Sequence, residues 1–297
     1  MSSRKRIVIG TRGSALAVKQ VDIVANAIQA ADPSFDIEVR IIQTQGDVDQ
    51  GPIPLDTVGK GWFTGEIERA LLNREIDLAA HSLKDMADDM PAGLYTGAYL
   101  PREDARDVLV TKYGGPLEEL PPGAVIGSDS SRRQVQMRAL RPDVVMKSIR
   151  GNVPTRLQKL MLEPYDAVIL AGAGLKRLGL AHRIVRYFEP REMTPAPGQG
   201  IIAIQAREDD MRLQRLLGMV NDADAARAAR VERSFSKAMG GGCKSPTGAY
   251  AFRDGGDCVL IGMRAGSGPD IRRDEMRAPW TASGQLGEAL ARKLLEN

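Results

Sequence analysis

The chain has 297 residues, of which 43% are hydrophobic and 27% charged, with a formal net charge of +3. That length predicts two or three domains, and the apolar content suffices for several α/β cores. No apolar run approaches the roughly 18 residues that span a membrane, and the basic N-terminus precedes only a short apolar stretch, so we expect a cytoplasmic protein without a membrane segment.

The first hundred residues alternate strands with helices. A buried strand is predicted at 7–10, and Ser14 suits the N-cap of an amphipathic helix that follows, so this turn offers backbone amides to an anion. A second strand is predicted at 36–42. Residues 43–62, rich in Gly, Asp, Gln and Pro, indicate a lid or a disordered loop, before a helix at 66–73 and a strand at 76–81.

The same rhythm continues to about residue 204. Helices are predicted from about 131, at 153–162 and at 174–180, between strands at 107–111, 124–127, 144–148 and 167–171. Such a βαβ series indicates a largely parallel sheet. A turn at 195–200 precedes an apolar strand at 201–204. A helix at 222–239, strands at 247–252 and 258–264, and a helix near 284–295 then predict a small further α/β domain.

Cys243, one of two cysteines, follows three glycines. Glycines admit positive φ and leave space for a bulky group, and a thiol is strongly nucleophilic, so Cys243 is a candidate for covalent attachment. The alternative is a helix cap with a small buried cysteine. A disulfide with Cys258 is disfavoured in a reducing cytosol. We expect no metal site, because there is no CxxC spacing and there are only two histidines.

Lys84 and Asp85 follow the predicted strand at 76–81, where ligand sites of open α/β sheets collect. Asp85 could exchange protons or stabilise a positive charge, although a plain surface ion pair is the alternative. Further on, arginines concentrate in a stretch poor in acidic residues, at Arg132, Arg133, Arg138, Arg141, Arg150 and Arg156. Guanidinium forks suit carboxylates or phosphates; the alternative is a solvated basic face. Nucleic acid is disfavoured, since no aromatic residues interleave with the cluster.

Ten short motifs in one order carry a resemblance to a known family. They are Thr11-Arg12-Gly13-Ser14, Thr44-Gln45-Gly46-Asp47, Gly59-Lys60-Gly61-Trp62-Phe63, His81-Ser82-Leu83-Lys84-Asp85, Pro101-Arg102-Glu103-Asp104, Ser130-Ser131-Arg132-Arg133-Gln134, Arg150-Gly151-Asn152, Ala173-Gly174-Leu175-Lys176-Arg177-Leu178-Gly179, Pro197-Gly198-Gln199-Gly200 and Gly241-Gly242-Cys243. Together they resemble the porphobilinogen deaminase (hydroxymethylbilane synthase) family of tetrapyrrole and haem biosynthesis. The resemblance covers nearly the whole chain.

The resemblance implies a transferase that joins four porphobilinogen molecules head to tail, releases ammonia and frees 1-hydroxymethylbilane by hydrolysis. It also implies an α/β fold of three domains, the first two like a type II periplasmic binding protein around a cleft, with a small C-terminal α/β domain. Domain 1 would comprise 1–100 with 200–220 and hold the catalytic cleft. Domain 2 would be 101–199, with the arginines, and domain 3 would be 221–297, with the cysteine. A monomer is expected.

Residue roles carry over by motif. The resemblance implies that Cys243 holds one covalent dipyrromethane primer per chain through a thioether, and that Asp85 is the catalytic carboxylate. Residues 47–61 would form the lid. The expected carboxylate-binding positions are Arg12, Lys84, Arg132, Arg133, Arg150 and Arg156, with Ser14, Ser130 and Gln199 as polar contacts.

Two departures from the family pattern concern the same turn. Where the family usually has Gly-Thr-Ser-Ser-Leu, this chain has Asp129 at the third position and Ser131 at the fifth. The main alternative is a solute-binding or sensor module, which needs neither Cys243 nor Asp85. A nucleic-acid-binding protein is the third possibility, and its affinity would fall steeply with salt.

Overall fold

The structure is a computed structural model that describes residues 5–48, 64–240, 246–266 and 270–296. Cys243 and positions 49–61 of the predicted lid lie outside these ranges. The strands are β1 Lys5–Thr11, β2 Phe35–Ile41, β3 Leu78–Ser82, β4 Leu94–Tyr99, β5 Asp107–Thr111, β6 Val125–Gly127, β7 Val145–Lys147, β8 Ala167–Ala171, β9 Arg186–Tyr187, β10 Ile202–Arg207, β11 Thr247–Asp254, β12 Asp257–Ala265 and β13 Ile271–Pro279.

The α-helices alternate with most of these strands. They are α1 Ala15–Ala31, α2 Gln45–Val48, α3 Gly65–Leu72, α4 Ser131–Leu140, α5 Val153–Leu162, α6 Gly172–Arg177, α7 Met211–Val220, α8 Ala223–Ala238 and α9 Leu286–Glu296. Within the described ranges, no helix combines the length and the apolar character needed to cross a membrane.

The chain divides into two compact units. Unit 1 comprises Met1–Arg102 and Ile201–Arg227, and unit 2 comprises Glu103–Gly200 and Ala228–Asn297. The chain therefore leaves unit 1 after residue 102 and returns to it at residue 201. The boundaries that we placed at residues 100, 200 and 220 stay predictions.

Unit 1 is built on a five-stranded sheet in the order β2-β1-β3-β10-β4. The β1 strand is parallel to β2 and to β3, whereas β10 is antiparallel to both of its neighbours. One face packs under α1 and α7 around Ile9, Val24 and Leu217, and the other packs under α3 around Leu71. The returning segment thus supplies an interior strand of the sheet that the N-terminal segment began.

Unit 2 repeats the plan with a sheet in the order β7-β6-β8-β5-β9. Here β6 is parallel to β7 and β8, but β5 is antiparallel to β8 and β9. Our expectation of a largely parallel sheet is therefore wrong for half of the strand pairings in each sheet. The antiparallel pairings come from β5 and β10, which begin directly after the chain passes between the units and so do not follow the βαβ pattern.

The C-terminal segment has its own antiparallel sheet, β11-β12-β13, covered by α8 and α9. Its core is centred on Phe235, Leu260 and Leu290, which are fully buried. Cys258 is also buried in this core. These two mixed sheets with helices on both faces, together with a separate C-terminal α/β domain, confirm the fold class expected from the sequence.

Gly200 lies where two backbone segments approach closely. Its φ is +90°, and a Cβ added to it would lie 2.3 Å from the Glu103 carbonyl oxygen. The Gly200 carbonyl oxygen accepts hydrogen bonds from the Glu103 N–H (3.0 Å) and from Arg177 Nη2 (2.7 Å). Only glycine fits this combination of positive φ and close approach.

We expect Gly200→Ala to lower the free energy of unfolding by about 2–5 kcal/mol, from backbone strain and overpacking together. Gly114→Ala is the matched control, because Gly114 has φ +84° and nothing within 4 Å of the added Cβ. That variant carries the strain alone, about 1–2 kcal/mol. Denaturant titration of both variants makes the comparison, and equal losses would show that the contact with Glu103 costs nothing.

Candidate active site

The first candidate site lies at the carboxyl ends of two parallel strands in unit 1. Because β1 and β3 run in the same direction, Thr11 and Ser82 end at the same edge of the sheet. Helix α1 begins there, and the Ser14 hydroxyl caps it by accepting the Ala17 N–H at 3.3 Å. The positive end of the helix dipole therefore lies beside this edge, where it favours a negative group.

A tight turn after β3 presents Asp85. The buried side chain of Leu83 anchors the turn. The backbone N–H of Leu83 donates to the Ile201 carbonyl oxygen at 3.0 Å, and the Met86 N–H donates to the Leu83 carbonyl oxygen at 3.1 Å. Lys84 is half-buried, and Asp85 is exposed. The packed leucine thus fixes the backbone while leaving the carboxylate accessible.

A polar pocket of about 70 Å³ joins these elements. Among the residues that line it are the predicted site residues Arg12, Ser14 and Asp85, whereas Lys84 is not part of the lining. The structure therefore brings a guanidinium, a hydroxyl and a carboxylate to one pocket. Such a set can bind an anion and hold a proton at the same place.

The pocket also contains polar residues that we did not predict as site residues. Gln20 Nε2 donates to the Ser82 hydroxyl at 2.7 Å, which ties α1 to the end of β3. His81 lines the pocket, and burial, with a smaller effect of the Arg12 charge, lowers its pKa to about 4 despite its hydrogen bond to Gln205. Their signal in the sequence was their position: Gln20 lies six residues after Ser14 on the same predicted helix, and His81 lies four residues before Asp85.

The second candidate site is an arginine pair in unit 2. Arg132 and Arg133 stand in the first turn of α4, are only 5% exposed, and bond to the fully buried Asp107. Arg132 Nη1 lies 2.6 Å from Asp107 Oδ2, and Arg133 contacts Asp107 Oδ1 through Nε at 2.9 Å and Nη2 at 2.7 Å. Asp107 is the partner that sequence reasoning missed; its only signal was a carboxylate beginning an apolar strand.

Among the described residues, this cluster leaves one positive charge without a carboxylate, since the two guanidinium groups share Asp107. Burial alone would raise the pKa of Asp107, but the charges and hydrogen bonds of Arg132 and Arg133 outweigh it and hold that pKa below its usual range. Burial lowers the pKa of Arg132 from its ordinary value. The stability from Asp107 is therefore present above its unfolded-state pKa and is lost only as the pH falls through its lower folded-state value.

Gln199 belongs to the same cluster. It is fully buried and donates to Asp107 Oδ1 at 2.9 Å and to the Ala105 carbonyl oxygen at 2.6 Å. Arg132 Nη1 also donates to the Thr194 carbonyl oxygen at 2.5 Å. The arginine pair and Gln199 thus form a buried network in which the arginine geometry is fixed by partners within the protein.

Of the remaining predicted residues, Ser130 and Arg150 lie on the turns before α4 and α5, and Arg156 lies in the first turn of α5. The Ser130 hydroxyl caps α4 by accepting the Arg133 N–H at 3.5 Å, and Arg156 Nε donates to the Gly151 carbonyl oxygen at 2.7 Å. Arg150 Nε lies 3.5 Å from Asp129 Oδ2. The aspartate that departs from the family pattern therefore pairs with one of the arginines expected to bind carboxylates.

Comparison with known proteins gives a consistent picture over the whole chain. A family model described as "Porphobilinogen deaminase, dipyromethane cofactor binding domain" matches residues 7–215, and one described as "Porphobilinogen deaminase, C-terminal domain" matches residues 226–296. A porphobilinogen deaminase of Alkaliphilus metalliredigens is 44% identical over 297 residues, covering 97% of this chain and 93% of that protein.

Further similarities were found by sequence and by structure. A porphobilinogen deaminase of Thermus thermophilus is 41% identical over 292 residues, covering 98% of this chain and 95% of that protein. Among solved structures, the periplasmic VFT2 domain of Bordetella pertussis BvgS is similar with a TM-score of 0.41 and 13% identity, covering 73% of this chain and 86% of that chain.

Proposed function

The chain belongs to the porphobilinogen deaminase family, whose members are hydroxymethylbilane synthases of tetrapyrrole biosynthesis, and we propose which of its residues carry out that activity. The reaction joins four porphobilinogen molecules head to tail and releases ammonia at each condensation. It therefore needs a group that manages protons and positive charge, and many cations for the acetate and propionate side chains.

Asp85 is the proton-handling group of this proposal. The observation that carries the assignment is its exposed carboxylate on the pocket that also contains Arg12 and Ser14, at the carboxyl edge of the sheet. A carboxylate here can accept pyrrole N–H groups and stabilise the positive charge that develops when an amine leaves. Arg12 and Ser14 would hold a substrate carboxylate beside it, next to the N-terminus of α1.

The arginine residues of unit 2 and Lys84 serve the remaining carboxylates in this proposal. The assignment of Arg132 and Arg133 is supported by their charge, because Asp107 compensates only one of their two positive charges. Gln199 and Ser130 fix the geometry of the pair. Arg150 and Arg156 are half-buried, so each exposes part of its guanidinium-bearing side chain for a ligand. Because Arg132 and Arg133 are already bonded inside the protein, they would present a rigid charge.

The chemistry of the donor set fits a dipyrromethane. This group carries several carboxylates and pyrrole N–H groups, and the described residues offer guanidinium groups for the former and Asp85 for the latter. When bound, it supplies the pyrrole carbon to which the first substrate is joined. We propose Cys243 as its single attachment point, on the motif Gly241-Gly242-Cys243 and on family membership.

The activity is tested by incubating the purified holoprotein with porphobilinogen. We expect one ammonia per porphobilinogen consumed and a linear tetrapyrrole product identified by mass. Saturable binding of porphobilinogen without ammonia release would instead favour the solute-binding module.

Asp129→Ser tests the pairing of Asp129 with Arg150. Removing the carboxylate takes away one competitor for the Arg150 guanidinium, so we expect KM for porphobilinogen to fall about 2–5-fold at low salt, the scale of one exposed ion pair, with kcat nearly unchanged. The difference should shrink as ionic strength rises. Asp143→Ser is the control, because Asp143 is an exposed aspartate on a nearby turn that pairs with Arg141 instead. An unchanged KM in Asp129→Ser would contradict the role given to Arg150.

We further propose that the protein is a cytoplasmic monomer, on the basis of the family and of a substrate made inside cells. Light scattering of the holoprotein should then give a mass close to the 32.2 kDa of the chain. A value near twice that mass would contradict the monomer.

A further inference from the structure

Arg273, on β13, links the C-terminal domain to α4 and to the segment after β9. Its Nε donates to the Thr194 hydroxyl at 3.0 Å, and its Nη2 donates to Gln136 Oε1 at 2.9 Å and to the Glu192 carbonyl oxygen at 3.0 Å. None of these three acceptors is a carboxylate, and Arg273 is half-buried. The planar guanidinium therefore acts here as a fork that fixes three neutral groups.

Two of these acceptor residues also hold Arg132. The Thr194 carbonyl oxygen accepts Arg132 Nη1 at 2.5 Å. Gln136 lies four residues after Arg132 on α4, and its Nε2 donates to the Arg132 carbonyl oxygen at 3.1 Å and to the Thr194 carbonyl oxygen at 3.2 Å. Its Oε1 accepts the Thr194 N–H at 2.7 Å. Thr194 and Gln136 are thus bonded to each other, to Arg132 and to Arg273.

The direction of each bond in this network is set. Because Arg273 and the Thr194 N–H both donate, Gln136 must turn its oxygen to them and its NH₂ group to the two carbonyl oxygens. The Thr194 hydroxyl accepts from Arg273 and donates to the Pro190 carbonyl oxygen at 3.0 Å. Thr194 and Gln136 are buried, so water does not readily replace a lost bond. Arg273 therefore orients the groups that hold Arg132.

The bonds to Arg132 occupy only one arm of its guanidinium. Nη1 donates both to Asp107 and to Thr194, whereas Nη2 makes no hydrogen bond within the described part of the chain. The guanidinium is planar, so the two bonds to Nη1 restrict the direction in which the Nη2 arm points. An arm held in this way can donate to a carboxylate without first losing a bond inside the protein.

The strand that follows Cys243 in the sequence meets the same network. Strand β11 begins at Thr247, four residues after Cys243. A Cβ added to Gly248 on this strand would lie 2.8 Å from the Thr194 carbonyl oxygen, the atom that also receives Arg132. The C-terminal domain therefore supports Arg132 from two strands, β11 by packing and β13 by hydrogen bonds.

Arg273 also brings a positive charge to this place. Burial lowers its pKa from the ordinary value, and the charge of Glu192 partly opposes that effect, while the Glu192 carboxylate itself pairs with Arg186. Arginine nevertheless stays charged in proteins. A test must therefore separate the charge of Arg273 from its hydrogen bonds.

We propose that Arg273 is a positioning residue for substrate binding, which fixes the Arg132 guanidinium through Thr194 and Gln136 so that Arg132 receives a carboxylate of porphobilinogen. The inference rests on the proposed function, in which Arg132 binds substrate carboxylates. The C-terminal domain thereby does more than carry the attachment point, since it also orients a cation that the incoming pyrrole meets.

Three variants test the proposal in the holoprotein. Arg273→Lys keeps the charge but loses the planar fork, and Arg273→Gln loses both. Thr194→Val keeps the shape of the side chain and removes only the hydroxyl that Arg273 reaches, so it reads the same network if a substitution of Arg273 impairs folding. Arg272→Gln is the matched control, because Arg272 is the half-buried neighbour on the same strand and lies 3.5 Å from Asp270 instead.

We expect KM for porphobilinogen to rise about 3–10-fold in Arg273→Lys and Arg273→Gln, the scale of one weakened hydrogen bond to a charged group. The kcat should stay within about 2-fold, because Asp85 is untouched. Thr194→Val should raise KM in the same direction, and Arg272→Gln should match the wild type. Intact mass and thermal unfolding check that each variant carries the primer and is folded.

Competition with two substrate analogues distinguishes positioning from a general loss of structure. In one analogue a methyl group replaces the acetate side chain of porphobilinogen, and in the other it replaces the propionate. If Arg132 receives one of these carboxylates, Arg273→Lys should raise Ki about 3–10-fold for the analogue that keeps it and leave Ki nearly unchanged for the analogue that lacks it.

An unchanged KM in Arg273→Lys and Thr194→Val would overturn the proposal. A KM raised in Arg273→Gln alone would also overturn it and assign the effect to charge, and equal weakening of both analogues would assign it to general structure. A wild type that binds porphobilinogen but releases no ammonia would overturn the proposed function. An active wild type with unaffected variants would overturn only the role of Arg273.

Discussion

Asp85→Asn is expected to lower kcat for porphobilinogen by about 10²- to 10⁴-fold, the usual contribution of a positioned acid or base. Asparagine keeps the shape of the side chain but can neither carry a negative charge nor take up a proton at neutral pH. Because Asp85 is exposed and its turn is held by Leu83, folding should be unaffected. Steady-state kinetics give the rate, and thermal unfolding checks the fold.

Asp89→Asn is the matched control, since Asp89 is an exposed aspartate four residues further along the chain. It should retain nearly full activity. The covalent primer should remain attached in Asp85→Asn, and measurement of the intact mass checks this. A near-normal kcat in Asp85→Asn would exclude Asp85 from the chemistry, whatever the control shows.

Cys243→Ser should remove the covalent group altogether. A serine hydroxyl is a far weaker nucleophile than a thiol near neutral pH, so no thioether analogue should form. The intact mass of the wild type, read by mass spectrometry, should exceed the sequence mass by one dipyrromethane. The intact mass of Cys243→Ser should equal its sequence mass. Turnover should fall to background, because the primer that receives the first substrate is missing.

Cys258→Ala serves as the control for Cys243. Cys258 is buried in the core of the C-terminal domain, so its replacement should cost some stability but keep the mass increment. An increment that persists in Cys243→Ser, or is lost in Cys258→Ala, would assign the attachment to another residue. If the wild type, made in cells that produce porphobilinogen, showed no mass above that of its sequence, the proposal of a covalent primer would be wrong.

Local patterns in the sequence predicted elements whose burial follows a simple period. Strand β8, with four of its five residues buried, and helix α1, with Val21, Val24 and Ile28 on one face, were both expected. Strand β13 was missed because its residues are nearly all half-buried, including most of its charged ones. Its sequence therefore shows no alternation of apolar and polar residues. Strand β4 and helix α7 were missed as well.

The candidate site residues likewise fall into those with a local signal in the sequence and those without one. Asp85 was predictable because it follows a strand end, which is a local feature of the sequence. The partners of the site residues were not, because they come from distant parts of the chain: Asp107 lies 25 residues from Arg132, and Gln205 lies 124 residues from His81. Sequence patterns indicate which residues carry chemistry, whereas the groups that tune and orient them emerge only when the sheets assemble.

The interior position of β10 affects the order in which the two sheets can form while the protein is being synthesised. Among the described strands, β4 pairs only with β10, so the first hundred residues leave the exit tunnel with a sheet that lacks its fourth strand and cannot yet add its fifth. The sheet of unit 2, from β5 to β9, is complete by residue 187, before β10 has been translated. Although domains generally fold in the order of their synthesis, here the middle of the chain can finish its sheet before the beginning can.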